Sequence, residues 1–220
     1  MTNELKQTEK SKLKRVPNRG NFDLETIYSI LDEGFICHVG FTANGQTFVI
    51  PTSYGRIGDK LFLHGASVSR MMKNLAEGID ICVTVTLVDG LVLARSVFHH
   101  SMNYRSVVVF GRAKLIESAD EKMKALEAFT EHIVKGRWDD ARIPNEKELN
   151  VTTVLSLKID EASAKIRTGD PIDDDKDYAL DFWAGVIPLK LEAGEPIDDS
   201  KLKEGIDQPN YLRNQKRFKE

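Results

Sequence analysis

Residues 61–78, LFLHGASVSRMMKNLAEG, decide how the rest of the chain is interpreted. An apolar, strand-like run ends near His64, two serines follow, and a helical pattern begins at Arg70. A helix N-terminus presents unpaired amide donors and a partial positive charge, so a hydroxyl and a cation placed there are typical of a phosphate site. Arg70 in the first turn opposes the helix dipole, which favours an anion in front of it.

The predicted phosphate site consists of Ser67, Ser69, Arg70 and Lys73. The two cations would make charge-assisted hydrogen bonds, and the serine hydroxyls and helix amides would complete the site. A simpler interpretation stays open, because serine is an ordinary N-cap and a first-turn cation is common on solvated faces. His64 is open in the same way, as a structural, ligating or catalytic imidazole.

The composition excludes several classes of protein. The chain has 220 residues, a formal net charge of −3, and 31 Lys and Arg against 34 Asp and Glu. Because the cations are mixed with the acids, we expect no nucleic-acid partner. The apolar stretches are far shorter than the ~20 residues of a membrane span, and the N-terminus lacks the apolar core of a signal peptide, so no membrane contact is expected. Cys37 and Cys82 lie inside apolar runs, which fits a reducing cytoplasm.

The sequence divides into three parts by composition. Residues 1–20 are polar and basic, and are interpreted as a flexible N-terminal arm. Residues 21–190 carry the strand and helix patterns of one domain. Residues 191–220 are interpreted as a charged C-terminal tail.

Hairpin signals dominate the domain. Asn44-Gly45, Gly58-Asp59 and Asp89-Gly90 predict turns between consecutive strands, and Pro51 predicts a strand at a sheet edge or a bulge. Helices are expected from Asp23, after Ser69 and over residues 119–135. The pattern is not one of alternating βαβ units, so it predicts a mainly β fold, an antiparallel barrel with flanking helices. The expected strands are 35–41, 47–54, 60–64, 80–88, 91–97, 106–115 and 151–167.

No metal or nucleotide motif stands out in the sequence. His99 and His100 are adjacent, so in a strand they would point apart, and no Cys-x-x-Cys or His-Glu-x-x-His accompanies them. Walker and Rossmann glycine motifs are also missing, which argues against the common nucleotide-binding α/β folds. The sequence therefore predicts no metal site.

The ordered series of segments resembles a known family. These segments are FVIPTSYG (48–55), LFLHGASVSRMMKNL (61–75), VDGLVLARSVFHHSMNYRSVVVFGRA (88–113), SAKIRTG (163–169) and FWAGVIPL (182–189). Together they resemble the pyridoxamine 5′-phosphate oxidase-like FMN-binding split barrels, and most of all the flavin-nucleotide-binding branch related to nitroimidazole reductases. The resemblance covers roughly residues 13–190. It implies an antiparallel Greek-key split β-barrel that binds FMN, with FAD possible, and forms a homodimer with flavin at the subunit interface.

The resemblance also implies roles for individual residues. The phosphate of FMN would be held by the predicted phosphate site. His64 and Gly65 would let the chain pass close to the cofactor, and Lys165 and Trp183 would close the site, Trp183 being equally interpretable as an interface anchor. Pro51, Thr52 and Ser53 would run along the isoalloxazine ring. Tyr104, Arg105 and Ser106 would lie near the flavin, across the dimer interface.

The implied function is that of a flavin-dependent oxidoreductase that passes electrons from NAD(P)H to a small planar substrate. The chain lacks the arginine and histidine pair that true pyridoxamine phosphate oxidases carry near their end, which argues against vitamin B6 oxidation. No catalytic residue is identified, and His64 and Tyr104 are only the best-placed candidates. Two alternatives are a non-enzymatic flavin-binding protein for storage or sensing, and a haem-binding split barrel.

Overall fold

Two antiparallel sheets form the body of the protein. The computed structural model describes residues 3–213. The strands are β1 (Gly20–Asn21), β2 (Ile36–Ala43), β3 (Gln46–Ser53), β4 (Gly55–Ile57), β5 (Lys60–Ala66), β6 (Asp80–Leu93), β7 (Ser101–Arg112), β8 (Lys114–Leu115), β9 (Thr152–Lys158), β10 (Glu161–Arg167) and β11 (Gly185–Pro188). The helices are α1 (Leu24–Glu33), α2 (Arg70–Ala76), α3 (Ala119–Ile133), α4 (Glu146–Asn150) and α5 (Asn210–Arg213). The predicted mainly β architecture with flanking helices is confirmed.

The larger sheet has seven strands in the order β1-β10-β7-β6-β2-β3, and β11 also pairs with β6. The smaller sheet has four strands in the order β4-β5-β9-β8. The first half of β6 pairs with β2 through residues such as Val83, and the second half pairs with β11 through residues such as Val92. Because β7 occupies the other edge of β6 along almost its whole length, β2 and β11 share one edge of this strand.

Two of the three predicted turns are confirmed. Asn44 and Gly45 join β2 to β3, and both have positive φ, 52° and 76°, as a tight two-residue hairpin requires. Gly58, with φ of 58°, turns β4 into β5. Pro51 lies in β3 at the edge of the larger sheet, where its missing amide proton costs no ladder bond.

The hairpin predicted at Asp89-Gly90 is wrong. β6 runs from residue 80 to 93 as one strand, and its pairing with β7 shifts register between Val88 and Gly90. Gly90 lets β11 approach closely, because a Cβ there would lie 3.1 Å from the carbonyl oxygen of Ile187, tighter than an ordinary contact. The glycine therefore marks the close approach of another strand.

Two other predicted strands are each divided between the sheets. The run 106–115 splits into β7 and β8, and the run 151–167 splits into β9 and β10. The chain crosses from one sheet to the other at the buried Ala113 and at Asp160, between β9 and β10. The apolar alternation continues on both sides of each crossing, so a sequence pattern of period two does not reveal it.

The core lies between the inner faces of the two sheets and is covered by α1 and α2. Its members include Ile27, Ile30, Leu31, Leu61, Leu63, Met72, Leu75, Val83, Val85, Val107, Leu155, Leu157 and Ala164. Tyr54, which is fully buried, connects β3 of the larger sheet to β4 of the smaller one. Its hydroxyl donates to the carbonyl oxygens of Leu31 and, at 3.1 Å, Gly34. The corner between the sheets is thus tied to the end of α1.

The N-terminal residues pack on the body. The amide of Leu5 donates to the carbonyl oxygen of Phe22 at 2.9 Å, the Thr8 hydroxyl donates to Glu161 of β10, and Ser11 is buried. How mobile residues 1–20 are stays a prediction, and so does the division into arm, domain and tail. The last part of the predicted tail, 214–220, lies outside the described residues. Among residues 3–213, no helix is both long and apolar enough to cross a membrane.

Tyr54→Phe should lower the free energy of unfolding by about 1–3 kcal/mol, because it removes a buried donor from two carbonyl groups. Urea denaturation followed by circular dichroism measures the change. Tyr28→Phe is the matched control, since the Tyr28 hydroxyl makes no hydrogen bond within residues 3–213 and its removal should cost less than about 0.5 kcal/mol. An equal loss in both variants would contradict the assigned role.

Candidate functional site

The outward side of the larger sheet carries a row of polar side chains. Val85, Val107 and Ala164 point into the core, so the residues that alternate with them point outward. Ser106 pairs with Thr86 on one side and with Lys165 on the other, and residues directly opposite in antiparallel strands share a face. The Ser106 hydroxyl donates to the carbonyl oxygen of Lys165 at 3.3 Å.

The far end of the same side carries two more predicted site residues. Pro51 pairs with His38, and His38 pairs with Thr84 of β6, so Pro51 and Ser53 lie on the same side of the sheet as Ser106. This side of the sheet is about 19 Å wide from β10 to β3, because four strand-to-strand spacings separate the two strands. We call this surface the outer face and define it by Pro51, Ser53, Tyr104, Ser106 and Lys165.

Two predicted residues lie on the opposite side of the sheet from the outer face. Thr52 pairs with the buried Cys37, and Arg105 alternates with Tyr104 and Ser106. The Arg105 guanidinium binds the carboxylates of Asp89, with Nη2 2.7 Å from Oδ1, and of Glu33 at the end of α1. The hydrogen bonds to Asp89 and Glu33 raise the pKa of Arg105 above its usual value. Within one chain, Arg105 therefore joins α1 to the sheet and does not point to the outer face.

The predicted phosphate site lies between β5 and α2. Ser69 is the N-cap residue of α2, and the amide of Ser67 donates to the carbonyl oxygen of Val151 at 2.9 Å. Arg70 and Lys73 are exposed and stand one turn apart on this helix. The structure thus brings the four predicted residues together at one helix start.

Phe48 is a neighbour of this site that the sequence analysis missed. The guanidinium carbon of Arg70 lies 4.3 Å from the centre of the Phe48 ring, which is a cation–π distance. Phe48 pairs with the buried Phe41, so it belongs to the inner side of β3 and Arg70 approaches the sheet from that side. The phosphate site and the outer face therefore lie on opposite sides of the larger sheet within one chain.

His64 and Gly65 occupy different environments because they alternate along β5. The His64 ring packs edge-on against Phe129 of α3, with centroids 4.1 Å apart, on the outward side of the smaller sheet. Its Nδ1 is buried and has no hydrogen-bond partner within residues 3–213. Burial lowers the pKa of His64, which favours the neutral imidazole. Gly65 faces α2, where a Cβ would lie 3.0 Å from Cγ of Met72.

Trp183 lies apart from the other predicted residues. It is 67% exposed and precedes β11, and a Cβ on Gly185 would lie 2.8 Å from its ring. Gly185 pairs with Leu93, and Thr86 pairs with Ser106. Leu93 and Thr86 are seven residues apart on β6, a distance of more than about 20 Å. One chain does not bring Trp183 to Ser106 and Lys165.

These features define a class, the two-sheet antiparallel barrel with polar side chains on one sheet surface, and comparison with known proteins gives the family. Residues 23–166 match the sequence model of the family described as pyridoxamine 5′-phosphate oxidase. The chain belongs to the pyridoxamine 5′-phosphate oxidase-like family of split-barrel flavoproteins, which confirms the resemblance. A search of curated proteins found no match.

Three solved structures illustrate the relationship. The flavocytochrome Anf3 from Azotobacter vinelandii is 40% identical over 94% of this chain and 96% of that chain, with a TM-score of 0.90. The FAD and haem binding protein from Mycobacterium smegmatis is 35% identical over 89% and 96%, with a TM-score of 0.85. A candidate 5-nitroimidazole antibiotic resistance protein from Bacteroides thetaiotaomicron VPI-5482 is 25% identical over 67% and 86%, with a TM-score of 0.56.

Proposed function

We propose that the protein binds a flavin, FAD in preference to FMN, together with haem, and that it acts as an oxidoreductase. The observation that carries the proposal is similarity along nearly the whole chain. A flavocytochrome and an FAD and haem binding protein each align with at least 89% of its residues at 35% identity or more. FMN, the cofactor that the sequence resemblance implies, is the alternative flavin.

The flavin would bind between two copies of the chain. The predicted phosphate site and the outer face present complementary groups, cations and hydroxyls at α2 and polar side chains at Ser106 and Lys165. Because the two surfaces lie on opposite sides of the larger sheet, one chain cannot offer both to a single small molecule. A homodimer would let α2 of one protomer face the outer face of its partner. Arg70 and Lys73 would then hold the phosphate and Lys165 would lie near the ring system.

The histidines differ in their fitness as haem ligands. The chain has five. His132 Nε2 lies 2.7 Å from the carbonyl oxygen of Gly34, and His100 Nδ1 accepts the amide of Ala94 at 3.2 Å. His99 Nε2 lies 3.5 Å from Asp174. His64 has an unsatisfied, buried Nδ1 and a pKa lowered by burial, so its ring is held in the neutral form that ligates iron. His38 is exposed on β2.

The proposed chemistry follows from these two groups. A bound flavin supplies hydride acceptance and single-electron transfer, and haem supplies single-electron chemistry. The chain would contribute the phosphate contacts at Arg70 and Lys73, the hydrogen-bonding groups of the outer face, and a neutral imidazole at His64. A nicotinamide donor and a small planar acceptor remain the proposed reaction partners.

The first experiment is the absorption spectrum of the purified protein, followed by chromatography of the flavin that a denaturant releases and by titration with haemin. We expect released FAD, a Soret band, and haem affinity at least about tenfold lower in His64→Ala, because an imidazole that would hold the iron is removed. His38→Ala is the comparison. Loss of haem binding in His38→Ala and not in His64→Ala would contradict the ligand assignment, and a protein that takes up neither cofactor would overturn the proposal.

Oxidation of NADH or NADPH by the loaded protein separates an enzyme from a flavin-binding protein for storage or sensing. Turnover with an added quinone or nitroaromatic acceptor is the expected result, since a planar acceptor can stack on the flavin ring. Stable flavin and haem binding without oxidation of either nucleotide, with any acceptor, would favour storage or sensing.

Arg70→Ala should weaken flavin binding by about 1.5–3 kcal/mol, the contribution of a charge-assisted hydrogen bond, which corresponds to a rise in Kd of about 10- to 150-fold. Quenching of flavin fluorescence on titration measures it. Arg112→Ala is the matched control, because Arg112 is an exposed arginine that pairs with Asp80 at the far end of β7. An unchanged Kd in Arg70→Ala would refute the phosphate contact.

Sedimentation of the flavin-loaded protein should give the mass of a homodimer at micromolar concentration, because the phosphate site and the outer face meet only between protomers. A monomer that retains its flavin would contradict the proposed interface.

A further inference from the structure

Three metal-ligating side chains converge outside the surfaces discussed above. His99 ends a 3₁₀ turn, Val97–His99, and Asp177 lies in another, Asp175–Ala179, with Asp174 as its N-cap. One ligand atom from each of the three residues lies within 4.8 Å of the others. The histidine and the aspartates are at least 75 residues apart in the sequence, so a spacing motif could not reveal the cluster.

The two segments that carry the cluster are fixed to each other by Asp173. Its buried carboxylate accepts the backbone amides of Arg95 and Ser96, both at 3.0 Å, and the Arg95 guanidinium at 3.4 Å. These hydrogen bonds hold the segment of His99 and the segment of the two aspartates at a fixed separation.

The separation of His99 and Asp174 is compatible with two ligands on one shared cation. His99 Nε2 lies 3.5 Å from Asp174 Oδ1, which is longer than the ~2.7–2.9 Å of a charge-assisted hydrogen bond. Two ligands on a tetrahedral ion with bonds of about 2.1 Å are about 3.4 Å apart. The Asp177 carboxylate makes no hydrogen bond or ion pair within residues 3–213, so it is available as a ligand.

We propose that His99, Asp174 and Asp177 bind one divalent transition-metal ion of the zinc class, with water completing the coordination. An imidazole with two carboxylates suits zinc, whereas magnesium and calcium prefer oxygen ligands alone. Asp174, Asp175 and Asp177 crowd three carboxylates around one lysine, Lys176, and a cation relieves the remaining repulsion. The ion links the connection between β6 and β7 to the segment before β11.

The test is calorimetric titration of the full-length, cofactor-loaded protein with Zn²⁺ after dialysis against a chelator. We expect one ion per chain, and affinity lowered at least about tenfold in His99→Gln and in Asp177→Asn. Asp175→Asn is the matched control. It removes the same charge two residues away, at an exposed carboxylate outside the cluster, and should stay within about twofold of the native affinity.

Two results would overturn the site. One is the absence of a zinc-binding event in the native protein. The other is an equal loss of affinity in Asp175→Asn and Asp177→Asn. That result would show that zinc responds to the net charge of the segment and not to a ligand at Asp177. At equal zinc concentration, the Tm should rise by similar amounts in the native protein and in Asp175→Asn, and by less in Asp177→Asn. Flavin and haem content are measured on the same samples, so a failure to bind zinc is distinguished from a failure to bind either cofactor.

Discussion

The buried hydroxyl of Tyr54 is the constraint on which the two-sheet arrangement depends. At this residue the chain leaves the larger sheet and enters the smaller one, and the hydroxyl ties the corner to the carbonyl groups that end α1. The neighbouring glycines are required by the same geometry. A Cβ on Gly34 would lie 2.9 Å from the Tyr54 hydroxyl, and one on Gly55 would lie 2.9 Å from the backbone of Phe129. The direction of β5, and with it the position of α2, follows from this corner.

Local chemistry made part of the fold predictable. Asn44-Gly45 and Gly58-Asp59 turn the chain for reasons contained in a few residues, and the structure has a hairpin at each. Asp89-Gly90 carries the same signal, but here the glycine accommodates the close approach of β11, a strand about 95 residues later in the chain. The crossings at Ala113 and Asp160 were equally hidden, because apolar alternation says which residues face inward and not which sheet they join. The family resemblance supplied the barrel topology that the residue patterns alone left open.

The candidate site divides in the same way. Ser67 to Lys73 was found because a helix start is a local feature, and the structure brings these residues together. Phe48 beneath Arg70 was missed, since the contact joins β3 to α2 across the core side of the sheet. The predicted pairs Thr52 with Ser53 and Arg105 with Ser106 each straddle the sheet, because successive side chains in a strand point to opposite faces. His99 and Asp177 meet only in the folded chain.

Because β11 pairs only with β6 among the described strands, its release and the unfolding of the barrel have different free energies. β11 contributes four residue pairs to one edge of β6, β2 pairs with residues 81–84 of the same edge, and β7 holds the opposite edge. Releasing β11 leaves every pairing of the barrel in place, whereas β11 has no sheet without β6. β11 can therefore open at a free energy below that of global unfolding. The amides of β11 should therefore exchange with solvent independently of those in the barrel strands.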